Sequence, residues 1–243
     1  MLRYSRHLVL PAFGAAGQER LARATVLLIG LGGLGSPAAL YLAAAGVGRL
    51  LLNDFDRVDL SNLQRQLLYT EADLGTAKTT AAAAALGALN PDCKLEALDG
   101  RLDGQTLAAA VQRADVVLDG SDNFGTRFAV NAACVAAKTP LVSGAAIRYE
   151  GQLTVFDTRD PASPCYACLY EEGCEELENC RQNGVLAPLT GVIGSLMAVE
   201  AVKLITSIGK PILGRLLRFD ALSGEMRYTG FERDPACPVC SRR

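Results

Sequence analysis

The sequence lacks the signatures of several protein classes. It has no run of lysine and arginine interleaved with aromatic residues, and its net charge is −2 with a pI near 5.6, so no nucleic-acid partner is expected. Glycine, proline or charge interrupts its apolar stretches before they reach membrane-spanning length, and residues 1–7 lead no signal-peptide core. These absences predict a cytoplasmic protein with no membrane partner.

Histidine is also scarce, whereas cysteine is not. His7 is the one histidine, and we interpret it as a structural or exposed residue rather than a catalyst. The chain has eight cysteines, which in a cytoplasmic protein indicate metal or thiol chemistry more than disulfides. Half of its 243 residues are hydrophobic, and no internal repeat or low-complexity linker divides them, which favours one large domain.

A glycine-rich turn is the most informative local pattern. Residues 24–29 form an unbroken apolar run typical of a buried parallel strand, and the turn Gly30-x-Gly32-Gly33-x-Gly35 follows directly. Ser36-Pro37 then begins a helix, so backbone N–H groups and the positive helix end converge where a phosphate could bind. A plain tight turn is the alternative. Asp54 follows a second predicted strand at the distance of a ribose-binding acid, a pattern that serves NAD and ATP equally.

Polar residues follow several predicted strands. Residues 54–66 and 120–123 are both dense in polar groups at the carboxyl ends of apolar strands, where α/β proteins keep their sites. Lys78 falls in the first turn of an alanine-rich helix, where the helix dipole disfavours a cation, which suggests that it meets an anion. An ordinary surface ion pair is the alternative for Lys78 and Arg65.

The strand pattern changes after residue 147. Residues 148–156, 216–219 and 225–228 are typical of half-exposed antiparallel strands, and an apolar helix is predicted at 191–205. The predicted fold is therefore α/β: a Rossmann-like, mostly parallel sheet with helices on both faces, continued by an antiparallel section.

Two Cys-x-x-Cys pairs predict a metal site within that section. Cys165 and Cys168, with Cys237 and Cys240, suit a tetrahedral four-thiolate zinc site without an open position, in preference to disulfides or free thiols. Cys93 and Cys134 are interpreted as small buried hydrophobic residues. Cys174 and Cys180 differ, because they fall in a polar loop at residues 170–188.

Taken together and in order, these motifs resemble the ThiF/MoeB family over essentially the whole chain. The motifs that carry the resemblance are Gly30–Gly35, Asp54-Phe-Asp56, residues 60–66, Lys78, Asp122-Asn123, both cysteine pairs and Gly191–Ser195. The family contains adenylyltransferases that activate ubiquitin-like sulfur carrier proteins for thiamine or molybdopterin synthesis. It implies one adenylating domain over residues 1–243, with a nucleotide-binding half at 1–145 and a carrier-binding and zinc half at 146–243.

The resemblance implies ATP, Mg²⁺ and Zn²⁺ as cofactors and gives roles to individual residues. Gly32 and Gly33 approach the nucleotide, Asp54 holds the ribose, and Asn62, Arg65 and Lys78 face phosphates. Asp122 resembles the magnesium-coordinating acid, with Asn123 beside it. The remaining residues implied to contact the nucleotide are Ser61, Leu63 and Gln64. Asp56 and Asp59 are secondary candidates, since both could be turn residues.

The resemblance also implies partners. These are a carrier protein ending in Gly-Gly, a second copy of the chain in a homodimer, and a cysteine desulfurase or rhodanese as sulfur donor. Arg6 matches an arginine that reaches across the family's homodimers to the partner's ATP, although His7 stands where glutamine is frequent. Cys180 matches a cysteine that can bond covalently to the activated carrier, and a purely structural loop residue is the alternative.

Two other functions remain open from sequence. One is a Rossmann NAD(P) oxidoreductase, which no recognisable hydride-transfer constellation supports. The other is a non-catalytic zinc-stabilised module that binds a ubiquitin-like partner, which the retention of Arg65, Lys78 and Asp122 disfavours. For the pathway, residues 36–42, 114–119 and 179–181 resemble the thiamine branch, while 141–148 and 187–189 resemble the molybdopterin branch, and the balance favours thiamine slightly.

Overall fold

A computed structural model describes residues 2–171 and 184–241 of the chain. Its eight strands are β1 (Thr25–Ile29), β2 (Arg49–Asn53), β3 (Lys94–Leu98), β4 (Val116–Asp119), β5 (Leu141–Ile147), β6 (Glu150–Phe156), β7 (Arg215–Asp220) and β8 (Glu225–Gly230). Its α-helices are α1 (Ser5–Leu8), α2 (Gly14–Arg23), α3 (Gly35–Ala45), α4 (Lys78–Leu89), α5 (Gly104–Gln112), α6 (Phe124–Ala137), α7 (Tyr166–Leu169) and α8 (Ala187–Thr206).

The eight strands form one sheet in the order β3-β2-β1-β4-β5-β6-β7-β8. Strands β1 to β5 pair in parallel, with Leu28 of β1 between Leu52 of β2 and Leu118 of β4. From β5 onward all pairs are antiparallel. The mostly parallel sheet with an antiparallel continuation is therefore confirmed. The boundary between two functional halves stays a prediction.

Helices cover both faces of the parallel part, as the apolar strands indicated. Alternate residues of β1 enter two separate cores: Val26 and Leu28 pack with residues of α3, α4 and α8, while Leu27 and Ile29 pack with residues of α5 and α6. Because successive side chains of a strand point to opposite faces, a strand covered on both sides has to be apolar throughout. This explains the unbroken hydrophobic runs in the sequence.

Helix α8 is the long core helix of the first face. By length and composition it is the one helix in the described ranges that could cross a membrane, with a mean hydropathy of 1.6. In the structure 56% of that stretch is buried, and the helix packs against β5, β6 and α3. The buried Glu200 accepts from Lys203 Nζ and from the Ile212 amide, at 2.5 and 3.0 Å, so its charge is paired inside the protein.

The N-terminal segment before β1 makes specific contacts with the rest of the protein. The Tyr4 hydroxyl accepts a hydrogen bond from Asn90 Nδ2 at 2.9 Å, and Asn90 is fully buried. Arg3 Nη1 donates to the Leu89 carbonyl at 3.1 Å, and His7 Nδ1 lies 3.1 Å from Gln18 Oε1. The segment thus makes hydrogen bonds to the C-terminal end of α4 and to the middle of α2, although Arg6 itself is exposed.

The chain reverses its direction of travel across the sheet after β3. Strands β1, β2 and β3 progress toward one edge, and β4 then pairs with the other side of β1. Ligands of open α/β sheets bind at the carboxyl ends of the strands beside such a reversal. The fold therefore predicts that a ligand binds between the loops that follow β1, β2 and β4.

Candidate functional site

A cleft of about 680 Å³ lies at the carboxyl ends of β1, β2 and β4. Ile29, Asn53 and Gly120, at or just after the ends of these strands, contribute to its wall. The cleft also contains ten of the residues that the sequence marked as nucleotide-binding: Gly32, Gly33, Asp54, Ser61, Asn62, Gln64, Arg65, Lys78, Asp122 and Asn123. Residues more than 90 positions apart in sequence therefore line one cavity.

The glycine-rich turn has a backbone path that excludes side chains at two positions. Gly30 has φ +84°, in the left-handed region, and a Cβ on Gly35 would lie 2.0 Å from the Gly30 carbonyl oxygen. The turn is also anchored from outside, because Ser36 Oγ and the Tyr69 hydroxyl both donate to the Leu31 carbonyl. The start of α3 is thereby held against the cleft, where its amide dipoles favour an anion.

Asp54 is fixed by backbone donors at the end of β2. Its Oδ2 accepts from the Leu31 amide at 2.8 Å, and its Oδ1 accepts from the Asp56 amide at 2.9 Å. Burial raises the pKa of this carboxyl above its ordinary value, and the nearby Lys78 ammonium and the two amides oppose that rise. A carboxylate held in this way next to the glycine turn is positioned to accept hydrogen bonds from ligand hydroxyls.

Lys78 meets the anion that its place in the helix suggested. Its Nζ lies 3.1 Å from Asp56 Oδ2 and 3.9 Å from Asp54 Oδ2, and its side chain is 4% exposed. Asp56, left as a secondary candidate from sequence, is therefore the nearer partner of Lys78. A buried ammonium held by carboxylates at a cavity wall is well placed to exchange one of them for a ligand phosphate.

The segment after β2 carries the second cationic group. Asp59 caps a short 3₁₀-helix by accepting from the Ser61 amide and hydroxyl, which lowers the pKa of its carboxyl. Arg65 Nη1 donates to the Ser61 carbonyl at 3.1 Å. Asp59 thus serves the local turn, as one reading of the sequence allowed, and the turn presents Arg65 to the cleft.

The turn after β4 forms the opposite wall. Asn123 Oδ1 accepts from the Thr126 amide and caps α6, and Asp122 stands exposed just before it. Arg127, one turn into α6, donates from Nη2 to the Ser121 carbonyl at 2.6 Å and to the Gly144 carbonyl at 3.0 Å. Burial of the Arg127 guanidinium lowers its pKa, but the nearby Asp119 and Tyr166 side chains raise it by more, so the pKa lies above its ordinary value. Arg127 therefore ties this turn to β5.

Two buried oxygens at the cleft wall have no hydrogen-bond partner among residues 2–171 and 184–241. They are Gln66 Oε1 and Ser121 Oγ, and both residues line the cleft. A buried polar atom without a partner costs about 1–3 kcal/mol unless water or a ligand satisfies it. These atoms fit a polar ligand such as a nucleotide.

Some predicted site residues lie elsewhere. Leu63 packs against the hydrophobic core and is not among the described residues that line the cleft. Arg6 is exposed and is not among the described cleft residues either. Cys174 and Cys180 lie outside the described residues. Their roles stay predictions.

Other cleft residues were not identified from sequence. They include Phe55, Arg101, Arg127 and Thr190. Thr190 of α8 lies against the glycine turn, since a Cβ on Gly33 would lie 3.1 Å from its side chain. Phe55 stands in the Asp54-Phe-Asp56 motif, but no role was assigned to it from sequence. No sequence signal distinguished Arg101, Arg127 and Thr190, because each approaches the cleft through the packing of its element rather than through a motif.

The four cysteines of the Cys-x-x-Cys pairs cluster beside Asn131 and Val135 of α6. Their sulfur atoms all lie within 4.8 Å of one another, with separations of 3.7 Å for Cys165–Cys237, 3.9 Å for Cys165–Cys168 and 3.5 Å for Cys168–Cys240. A tetrahedral zinc with bonds of about 2.3 Å spaces its sulfur ligands about 3.8 Å apart. The cluster fits a closed four-thiolate metal site and is too widely spaced for disulfides.

The cluster is buried and has a supporting hydrogen bond. Cys165, Cys237 and Cys240 are fully buried, and Asn131 of α6 directs its Nδ2 at Cys165 Sγ over 3.6 Å. Burial raises the pKa of the Cys165 thiol, so without a cation this thiol would stay protonated. The two other described cysteines, Cys93 and Cys134, are buried as expected of small hydrophobic residues, and burial raises the pKa of Cys93 to about 11.

Comparison with known proteins gives consistent matches over the whole chain. Residues 4–239 match the ThiF family. The molybdopterin-synthase adenylyltransferase of Escherichia coli is 48% identical, with 100% of this chain and 97% of that protein covered. The sulfur carrier protein ThiS adenylyltransferase of the same species is 49% identical, with 98% and 94% covered. Among solved structures, E. coli MccB with ATP superposes with a TM-score of 0.85 at 25% identity, with 98% of this chain and 74% of that one covered.

Proposed function

The chain belongs to the ThiF family and is a nucleotidyltransferase of the kind that adenylylates sulfur carrier proteins, and we propose that it joins AMP to the C-terminal Gly-Gly carboxylate of a ubiquitin-like carrier. One carboxylate oxygen attacks the α-phosphorus of ATP. The bond from that phosphorus to the bridging oxygen breaks, and pyrophosphate leaves with the electron pair. The product is an acyl-adenylate.

This reaction needs no general base. A C-terminal carboxyl has an ordinary pKa of about 3.3–3.7 and is ionised at neutral pH, so the nucleophile is present without proton transfer. His7 is not among the described residues that line the cleft, which agrees with that requirement. What the step requires is alignment of the nucleophile and stabilisation of the negative charge on the phosphates.

The cleft supplies groups for both tasks. We assign the phosphates to Arg65, Lys78 and Asn62, and the ribose to Asp54, whose backbone hydrogen bonds fix its position. Gly32 and Gly33 allow the nucleotide to approach the backbone, and Ser61, Gln64 and Asn123 complete the proposed contacts from the cleft wall. Leu63, which packs against the core, is proposed as a contact only on the resemblance. Lys78 would leave Asp56 for a phosphate oxygen, a short move for a side chain that is already at the cavity wall.

A magnesium ion that enters with ATP would supply positive charge at the pyrophosphate leaving group. Asp122 is the proposed ligand. Asp122 is exposed and lines the cleft on the wall opposite Lys78, where a metal ion that enters with the nucleotide could reach its carboxylate.

The observation that carries the proposal is the convergence of Arg65, Lys78 and Asp122 on one cleft beside the glycine turn. A non-catalytic binding module would not need this set, and an oxidoreductase is not favoured by relatives that are adenylyltransferases. The test is exchange of radiolabelled pyrophosphate into ATP with Mg²⁺. We expect exchange only when a carrier with an intact Gly-Gly end is added. No exchange with either a ThiS-like or a MoaD-like carrier would contradict the proposal.

The same assay identifies the carrier. The two E. coli relatives are named for different carriers and are 48% and 49% identical to this chain, so overall similarity does not decide between them. We propose the thiamine-type carrier, on the local patterns at residues 36–42, 114–119 and 179–181. The ratio of exchange rates with the two carriers settles the choice.

Further partners are part of the proposal. In a homodimer Arg6 would reach the partner's nucleotide, which agrees with its exposure and with its position outside the cleft of its own chain. The four cysteines Cys165, Cys168, Cys237 and Cys240 would hold Zn²⁺, which would cross-link the chain without taking part in catalysis. A cysteine desulfurase or a rhodanese would supply sulfur to the acyl-adenylate.

Cys180 is proposed as a nucleophile that acts after adenylation. Its thiolate or persulfide would attack the activated carbonyl and expel AMP. We therefore expect Cys180→Ser to leave pyrophosphate exchange near the wild-type rate and to abolish a reducible enzyme–carrier adduct on non-reducing gels. Cys174→Ser is the matched control and should retain the adduct. If wild type forms no adduct, or if the adduct survives Cys180→Ser, the role is wrong.

A further inference from the structure

The turn after β4 is held by two side chains of opposite charge, one on each side of Ser121. Asp119, the last residue of β4, accepts from the Ser121 amide at 2.9 Å through Oδ1. Arg127 donates from Nη2 to the Ser121 carbonyl at 2.6 Å and to the Gly144 carbonyl of β5 at 3.0 Å. The Ser121 carbonyl belongs to the peptide bond that precedes Asp122. Arg127 therefore helps to determine where the backbone of Asp122 begins.

Asp119 and Arg127 also compensate each other's charge. Asp119 is buried, and its Oδ2 has no hydrogen-bond partner within residues 2–171 and 184–241. A buried carboxylate is costly without a positive charge nearby, and the Arg127 guanidinium supplies one. On the other side of Asp122, Asn123 caps α6. The turn is thus fixed on both sides of Asp122, whose side chain is exposed and lines the cleft.

Tyr166 keeps Arg127 itself in place. Its buried ring lies 5.3 Å from the ring of Phe128, centroid to centroid, and its amide donates to Asn131 Oδ1 at 2.9 Å. Burial raises the pKa of Tyr166 to about 12, and the neighbouring Arg127 charge opposes that rise. Arg127 and Asn131 are four residues apart on α6 and therefore share one face of the helix. That face holds both the turn after β4 and the segment at Tyr166.

We propose that Arg127 is a positioning residue for magnesium, which holds the turn so that the Asp122 carboxylate can reach the metal. This rests on the proposed function, in which Asp122 is the magnesium ligand. Mg²⁺ tolerates little deviation from octahedral geometry, so a ligand on a loosely held turn would bind it less well. Arg127 acts on the backbone and not on ATP, because the two N–H groups of its Nη2 are matched by two carbonyl acceptors.

Equilibrium binding of ATP to the full chain, without a carrier, tests this role in EDTA and with saturating Mg²⁺. Arg127→Met keeps much of the side-chain length but has no donor. We expect it to raise the Kd with Mg²⁺ by about tenfold to hundredfold, the range for a residue that orients a metal ligand. The Kd in EDTA should stay at the wild-type value, because Arg127 does not contact the nucleotide. Asp122→Ala should show the same pattern.

Two further variants control for charge and folding. Arg127→Lys keeps the positive charge beside Asp119 and can still donate to a carbonyl, so its Kd with Mg²⁺ should lie between wild type and Arg127→Met. Arg20→Met is the matched control, since Arg20 also donates to a carbonyl, that of Thr206, and is not among the described cleft residues. It should bind ATP as wild type does. Thermal melts identify folded variants, and Arg127→Lys decides the role if Arg127→Met does not fold.

A double variant shows whether Arg127 acts through Asp122. Arg127→Met combined with Asp122→Ala should bind ATP with Mg²⁺ no more weakly than Asp122→Ala alone, because the positioned carboxylate is already gone. Losses that multiply would overturn the proposal, since the two residues would then act independently. Wild-type binding with Mg²⁺ in both Arg127→Met and Arg127→Lys would overturn it too.

Two other results also overturn the role. A higher Kd in EDTA for Arg127→Met would make Arg127 a direct contact of the nucleotide. A wild-type Kd that is the same in EDTA and with Mg²⁺ would remove the metal that Arg127 is proposed to position. Wild-type protein that binds ATP more tightly with Mg²⁺ but shows no carrier-dependent exchange contradicts the proposed function alone, and the binding constants still decide the role of Arg127.

Discussion

Asp122→Ala and Arg65→Ala should each reduce carrier-dependent pyrophosphate exchange by about 10²–10³-fold, the usual effect of removing one electrostatic stabiliser of a transition state. Asp122 stands on the turn after β4 and Arg65 on the segment after β2, so the two approach a ligand from opposite walls of the cleft. Loss of either leaves phosphate charge unbalanced at the moment when the leaving group departs.

The two variants should fail for different reasons, and the difference is measurable. If Asp122 holds magnesium, Asp122→Ala should need a higher Mg²⁺ concentration for half-maximal exchange, and Asp122→Asn should behave in the same way because its amide is a weaker ligand. Arg65→Ala should lower the rate at saturating Mg²⁺ without shifting that concentration. Arg65→Lys should recover only part of the rate, because lysine lacks the bidentate fork.

Asp160→Ala and Arg159→Ala are the charge-matched controls. Both residues lie in the loop after β6, which is next to the amino end of β5, whereas the cleft lies at the carboxyl ends of the parallel strands. Both variants should therefore exchange pyrophosphate at the wild-type rate. Wild-type exchange in Asp122→Ala and Arg65→Ala would contradict both residue roles. A magnesium dependence that is unchanged in Asp122→Ala would place the metal on another carboxylate.

The parts of the fold that depend on local pattern were predictable from sequence. The apolar runs of β1 and β4 reflect burial on both faces, and the glycines at positions 30 and 35 reflect a backbone path that a side chain would block. Lys78 is the most instructive case. A cation in the first turn of a helix opposes the helix dipole, so an anion had to be close, and Asp56 lies 3.1 Å away.

The residues that the sequence did not reveal depend on tertiary packing. Arg127 reaches the cleft because α6 turns that face toward β4 and β5, and no motif marks which face a helix presents. Phe55 and Arg101 meet only because β2 and β3 pair in a particular register. Tyr4 is a further case: no motif marks it, yet its hydroxyl accepts from the amide of the buried Asn90, more than 80 positions away in sequence.

The second large effect is expected from the cysteine cluster. The pair Cys165 and Cys168 lies at α7, and the pair Cys237 and Cys240 lies near the end of the chain, after the edge strand β8. Every residue of β8 is exposed, and directly after it Phe231 packs against Phe156 of the core. A metal held by all four thiolates would be the main attachment of the described segment beyond Phe231 to the body of the protein.

Cys237→Ser should accordingly release the metal and lower the melting temperature. Elemental analysis of wild type should give about one zinc per chain, and Cys237→Ser should contain little. Losing one ligand of a closed site should cost about 2–4 kcal/mol of unfolding free energy, which is about 5–15 °C for a chain of this size. Wild type treated with a strong chelator should show the same shift, and added Zn²⁺ should reverse it.

Cys93→Ala separates the metal from the general effect of changing a buried cysteine. Cys93 is buried but far from the other thiols in the fold, at the turn before β3, so its variant should keep one zinc while losing only a small amount of stability. A zinc-free wild type with an unchanged melting temperature would contradict the site. Full zinc content in Cys237→Ser would contradict the ligand set. Helix α6 connects the two sites, because Asn123 caps it at the cleft and its Asn131 contacts Cys165. The carrier-dependent exchange rate of the chelated protein therefore shows whether the metal also affects the cleft. An unchanged rate means that the metal only stabilises the C-terminal segment, and a lower rate means that it also helps to position α6.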